Sequence, residues 1–115
     1  MTYVGQLEAL DRVLNRGGDA DDVLREVVAV VARPFAWAGI LFREDGRLVL
    51  GPSAGEADEP RRTTVPVSFQ GSPVAELAVD GDLDGDARAF VERVALVISP
   101  YCLVGWDTGG EEWTP

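Results

Sequence analysis

The sequence predicts an α+β domain, with an antiparallel sheet of about four strands and helices mainly on one face, in the order α-α-β-β-β-β-α. Three observations predict it. Two N-terminal segments carry apolar residues at helical spacing. Short runs with strand texture follow, grouped as hairpins around polar turns. A final segment returns to helical spacing before a polar tail.

The first helix is expected over 3–15, where Val4, Leu7, Leu10, Val13 and Leu14 recur among charged residues and Gly17-Gly18 ends the run. Asp19 then suits an N-cap, with Asp21 and Asp22 in the first turn, where the helix dipole favours acids. The second helix is expected over 20–33. Its stripe of Val23, Leu24, Val27, Val28, Val30 and Val31 is wide enough to demand heavy burial, and Arg33-Pro34 stops it. Residues 36–43 read as a strand, Glu44-Asp45-Gly46-Arg47 as a turn, and Leu48-Val49-Leu50 as the start of a second strand. Residues 51–62 are rich in Gly, Pro and charge and are expected to form an exposed, mobile loop. Strands are expected at 63–69 and 74–80 around a turn at 70–73. Pro66 cannot donate to a ladder, which places the third strand at an edge or a bulge. The last helix starts near Asp84 or Asp86 and carries Phe90, Val94, Val97 and Tyr101, and Pro100 shortens it. Residues 1–106 are expected to form a single domain and 107–115 a disordered tail.

Composition excludes much chemistry. The 115 residues carry a net charge of −10, and every basic residue is Arg. A polyanion or an anionic membrane is repelled at long range, so neither nucleic acid nor membrane is an expected partner. There is no His, which removes the commonest general base and metal ligand. A single Cys allows neither an intrachain disulfide nor a cysteine zinc cluster. No apolar run reaches the ~18 residues that span a bilayer. The N-terminus lacks the pattern of a signal peptide, so a cytoplasmic location is expected. The absence of Lys beside abundant Ala, Val, Gly and Asp points to a GC-rich bacterial genome.

Two pairs of segments resemble those of a known family. One is Trp37-Ala38-Gly39-Ile40-Leu41 followed by Leu48-Val49-Leu50-Gly51-Pro52-Ser53-Ala54-Gly55. The other is Thr64-Val65-Pro66-Val67 followed by Ala75-Glu76-Leu77-Ala78-Val79-Asp80. Over about residues 6–100 the chain resembles GAF domains, relatives of PAS domains with a profilin-like fold, and within them the free methionine-(R)-sulfoxide reductases. The departures are as informative. The family's insert between the hairpins, which holds its redox cysteines, a central strand and a lid, is reduced here to residues 56–62. Cys102 lies in the wrong element to replace those cysteines. Arg62 stands where the family has a Glu and Ala78 where it has an Asp, which leaves Asp80 alone of the carboxylates that hold the substrate ammonium.

Each remaining candidate has a plainer structural reading. Cys102 has no neighbouring His, Lys or Cys to activate it and is expected to be packing. The acids of Asp80-Gly81-Asp82-Leu83-Asp84-Gly85-Asp86 do not fit a calcium loop and read as a solvated turn with an N-cap. Glu76 and Asp80 share a strand face and are expected to be an exposed polar pair. Gly51–Gly55 lacks the Lys and following helix of a phosphate loop. Trp37 is expected in the core unless it stacks on a ligand.

The function expected is a non-catalytic regulatory or scaffolding module acting by dimerisation or partner contact, with no cofactor, metal or catalytic residue. The alternative is a small-molecule sensor with a residual pocket at Trp37, Phe69 and Asp80. A methionine sulfoxide reductase relative and a roadblock-like dimerisation scaffold come behind, the latter because no helix separates the hairpins. A homodimer is expected through the helices, because Leu7, Leu10 and Leu14 compete with Phe90, Val94, Val97 and Tyr101 for cover.

Overall fold

The computed structural model describes residues 3–103. The boundary at 106 and the tail expected at 107–115 lie outside the described residues. Helices α1 (Val4–Arg16) and α2 (Ala20–Ala32) precede strands β1 (Trp37–Glu44), β2 (Arg47–Gly55), β3 (Arg62–Phe69) and β4 (Ser72–Asp80), and α3 (Gly85–Ile98) follows. Short 3-10 turns lie at Glu59–Arg61 and Ser99–Cys102. The architecture is the expected α+β one.

The helix ends follow from local chemistry. Asp19 accepts the Asp22 N–H at 2.9 Å, and Asp84 accepts the Ala87 N–H at 2.8 Å, so both capping aspartates satisfy a first-turn donor. Gly17 stops α1 in a positive-φ conformation, and its N–H bonds the Val13 carbonyl. Pro100 ends α3 at Ile98 and turns the chain into the 3-10 segment. All six apolar residues of the α2 stripe are buried. Each buried Val or Leu stabilises by roughly 1.5–3 kcal/mol as an upper estimate, which makes α2 the main anchor of the core.

The sheet order is β2-β1-β4-β3, antiparallel throughout, so β2 and β3 are the edges. Pro66 therefore lies on an edge strand, where its missing donor costs least. Asp45-Gly46 and Gln70-Gly71 close the two hairpins with φ values of 52° and 77°, and of 52° and 85°, the paired positive φ of type I′ turns. Ala38, Ile40 and Phe42 of β1, Leu77 and Val79 of β4, and Val67 of β3 join the helices in one hydrophobic core. Helix α2 lies over β1 and β2, α3 packs on β3, and α1 packs on α2. The opposite sheet face carries no helix among the described residues.

The structure corrects three expectations. Residues 51–55 are not loop but the second half of β2. A bulge between Gly39 and Leu41 absorbs Gly51-Pro52, and pairing resumes at Gly39↔Ser53. The segment 52–62 is consequently not all loop: 52–55 belong to β2 with Pro52 buried, and 59–61 form a 3-10 turn, while Ser53, Gly55, Glu56, Ala57 and Glu59–Arg61 are exposed as expected. The helices also hide more than expected. Leu10, Phe90 and Val94 are buried within the chain itself, and Tyr3 stacks on Phe90 at 4.7 Å and on Phe35 at 6.4 Å. Of that competing set Leu7 is the exposed member, at 37%.

Candidate functional site

The uncovered sheet face is built by alternation along β1 and β4. Core residues at 38, 40 and 42 place Trp37, Gly39, Leu41 and Arg43 on the other side. Trp37 pairs with Asp80 across β1 and β4, and Asp80 with Arg62 across β4 and β3, so these side chains form one row across the sheet.

Asp80 organises that row. It is fully buried, and three donors converge on it. Arg62 Nε donates to Oδ1 at 2.7 Å and Nη2 to Oδ2 at 2.9 Å, a bidentate fork. The Asp58 N–H adds a bond to Oδ2 at 2.6 Å. The Arg62 guanidinium and the Asp58 amide hold the Asp80 carboxyl below the usual carboxylate range, outweighing burial, which acts the other way. The same pairing raises the Arg62 pKa. The expectation of an exposed Glu76–Asp80 pair is therefore corrected. Asp80 lies on the helix-free face but is buried there because its cation arrives from the neighbouring strand, while Glu76 lies 3.6 Å from Arg43.

Trp37 lies flat against the sheet. A Cβ added at Gly39 would sit 2.4 Å from Trp37 Cη2 and 2.6 Å from Cζ2, so only glycine leaves room for the ring. Leu50 Cδ1, 3.3 Å from that same point, flanks it on the β2 side. The Arg62 guanidinium carbon stands 4.1 Å from the indole centroid, a cation–π contact made by the same group that grips Asp80. Backbone, indole and guanidinium thus form three layers on the sheet.

Three connections are tied to this row. The Ala36 N–H bonds the Asp80 carbonyl at 2.9 Å, the Glu56 N–H bonds the Ala36 carbonyl at 2.9 Å, and the Gly81 N–H bonds the Arg61 carbonyl at 3.1 Å. Arg61 reaches Asp82 at 3.1 Å. The acids of 80–86 diverge: Asp80 points to Arg62, Asp82 to Arg61, and Asp84 caps α3. Among the described residues no group of three or more His, Cys, Asp or Glu side chains is placed to hold a metal ion.

Of the residues expected to bind a ligand, the fold brings Trp37 and Asp80 together and leaves Phe69 apart. Phe69 pairs with Ser72 at the far end of β3, seven residues from Arg62 and roughly 20 Å away at strand rise. Arg62, which contacts both Trp37 and Asp80, is the member of this row that the sequence reading did not count among the binding candidates. A depression of about 230 Å³ lies at that far end, bounded by Phe42, Arg43, Glu44, Pro73, Val74, Cys102 and Leu103. Cys102 is buried, and burial pushes its thiol up to about 12. That keeps it protonated and unreactive.

No protein-family model matches the chain, and no curated protein matches it. Solved structures do. The GAF domain of a phosphoenolpyruvate-protein phosphotransferase from Coxiella burnetii superposes with a TM-score of 0.72 at 12% identity, covering 88% of this chain and 94% of that one. The fRMsr of Staphylococcus aureus, in complex with substrate, gives 0.70 at 14% identity over 87% of this chain and 95% of that one. A type II free methionine-R-sulfoxide reductase from Thermoplasma acidophilum gives 0.65 at 17% identity, over 72% and 92%. Identities this low speak for the fold alone. An enzyme and a domain of a phosphotransferase share it. The architecture of this chain is that of a GAF-like domain.

Proposed function

We propose that this GAF-like domain is a non-catalytic regulatory or scaffolding module that works by protein contact. The observation that carries the reading is the enclosure of Asp80. Its two oxygens take three donors, it is fully buried, and Trp37 beside it is roofed by Arg62. A general base must reach a substrate proton, and a ligand-binding carboxylate must offer a free acceptor. Asp80 offers neither while Arg62 holds it. The only cysteine is a buried thiol of raised pKa, unsuited to nucleophilic or redox work. Reductase activity is on this reading absent.

A sensor is the second reading, and the Trp37–Asp80 juxtaposition favours it. A cationic ligand displacing the Arg62 guanidinium would find an indole face and a buried carboxylate in register. Native mass spectrometry of the purified chain separates the two. Masses at multiples of 12.3 kDa without a small adduct support the contact module. A stoichiometric adduct lost in Trp37→Ala, or turnover of free methionine-(R)-sulfoxide with a thioredoxin system, would replace it.

A further inference from the structure

We infer that the helix-free sheet face is where two copies of this chain meet, with Leu41 and Leu50 at the centre and Arg43 and Glu76 exchanged between subunits. This rests on the protein-contact reading above and names the partner and the surface. Two observations carry it.

The first is apolar exposure. Leu48 and Leu50 are 43% and 49% exposed. The register sets Leu50 beside Leu41 and Leu48 beside Arg43, so both leucines project from the same uncovered face. Adjacent exposed leucines on one sheet face, with Leu50 flanking Trp37, form a contiguous apolar patch rather than scattered surface residues.

The second is charge. The chain carries −10, so a second copy is repelled at most approaches. This face is the exception. Its charged residues are Arg43, Arg62, Glu76 and Asp80, two of each sign, and the acid excess lies in the helices, the connections and the C-terminal residues. The balance is also self-complementary. Arg43 and Glu76 sit side by side at 3.6 Å with side chains 46% and 22% exposed. A two-fold axis lying between two such faces and bisecting the Arg43–Glu76 line sets each guanidinium against the partner's carboxylate. With ordinary strand and residue spacings the same axis brings Leu41 and Leu50 close to their own copies. An isologous dimer needs a patch of this kind, one that complements itself.

The test is sedimentation equilibrium on the full chain from micromolar to several hundred micromolar, with single charge reversals. The wild type is expected at twice the 12.3 kDa chain mass. Arg43→Glu places two like-charge contacts in a homodimer, and so does Glu76→Arg. Each alone is expected to weaken association roughly a hundredfold. Mixed in equal amounts, the two variants restore both opposite-charge contacts and are expected to form a heterodimer of near wild-type affinity. Leu50→Glu, at an exposed edge position, is expected to give monomer without loss of the folded circular-dichroism spectrum. Recovery in the mixture cannot arise from a folding defect in either variant. A wild type of 12.3 kDa at the highest concentration overturns the inference. So does a dimer that persists in both single reversals, or a mixture that fails to reassociate. A persistent dimer would leave the contact reading standing with its surface elsewhere.

Discussion

Replacing Arg62 by Met tests the centre of the candidate site. The substitution keeps an apolar side chain over Trp37 and removes both guanidinium bonds to Asp80. Stranding one partner of a buried ion pair costs about 3–5 kcal/mol. The Arg62 side chain is 25% exposed and the Asp58 N–H still donates, so the lower end, about 3 kcal/mol, is expected. The lost cation–π contact and the gained sulfur–aromatic contact, each about 1 kcal/mol, cancel within their spread. The melting temperature should fall by about 12 °C at neutral pH, taking about 4 °C per kcal/mol for a domain of this size. Acidity supplies a sharper criterion. In the wild type the Asp80 carboxyl is held below its ordinary range, so its stabilisation is present above the unfolded-state pKa and is lost as pH falls through the lower folded value. In Arg62→Met only burial and one amide act on the carboxyl. Burial raises its pKa, and protonation relieves the stranded charge. The stability gap between variant and wild type should therefore narrow from pH 7 towards pH 4. Urea unfolding followed by tryptophan emission at both pH values measures it. A gap below about 1 kcal/mol at pH 7, or one that widens with acid, would refute the role given to this pair.

Further outcomes follow from the same geometry. Gly39→Ala should displace the indole, shift tryptophan emission to longer wavelength and cost about 1–3 kcal/mol by overpacking, seen in parallel fluorescence and melting experiments. Cys102 should resist a thiol reagent at pH 8 in the native state and react fully in urea, because burial holds the thiol protonated with a pKa of about 12. Leu10→Asp should unfold the domain rather than yield a folded monomer, since Leu10 is buried in the chain's own core, and circular dichroism distinguishes these outcomes. Gly55→Ala should destabilise by about 2 kcal/mol or more, because φ is +96° and the new Cβ would lie 2.3 Å from the Ala36 carbonyl oxygen. An unchanged melting temperature would mean that this strand end relaxes freely.

The elements were legible because their signals are local. Asp19 and Asp84 announce their helices by capping, the valine stripe marks a buried helix, and Asp45-Gly46 demands a type I′ turn. The pairing that makes the site was not legible, and the reason is one residue of register. Around Gln70-Gly71 the hairpin begins with Phe69↔Ser72 and Ser68↔Pro73. Continued without interruption, that register puts Arg62 opposite Val79 and on the core side. A bulge at Val74 of β4, opposite the Val67-Ser68 step, shifts it, so that Arg62 stands opposite Asp80. A slip of one residue exchanges the two faces of a strand, and Val74, the extra residue, is a strand former that does not announce itself, while Pro73 before it reads as part of the turn. The Gly51-Pro52 bulge misled in the opposite way. Its residues look like loop, yet an edge strand accommodates them because Pro there forfeits only a bond to solvent.

These two bulges also connect the fold to the proposed mode of action. By moving Arg62 to the uncovered face, the bulge in β4 supplies Asp80 with a cation from within the chain. By absorbing Gly51-Pro52, the bulge in β2 leaves Leu50 beside Leu41 and Ser53 beside Gly39, with room for an indole to lie on the glycine. The upper part of the face is thereby filled by the chain's own Trp37 and Arg62. That filling occupies the space beside Asp80 that a small molecule would need and leaves exposed leucines further along the face. A charge-balanced face with exposed leucines suits another protein surface better than a small ligand, and on an otherwise acidic chain it suits a second copy of itself. Site and surface are then alternatives set by one side chain. Whatever frees Arg62 from Asp80 would expose a buried carboxylate and disturb the indole that Leu50 flanks. Arg62→Met should therefore weaken association as well as stability. If it leaves the dissociation constant of a wild-type dimer unchanged at a temperature where both proteins are folded, the site and the interface are independent.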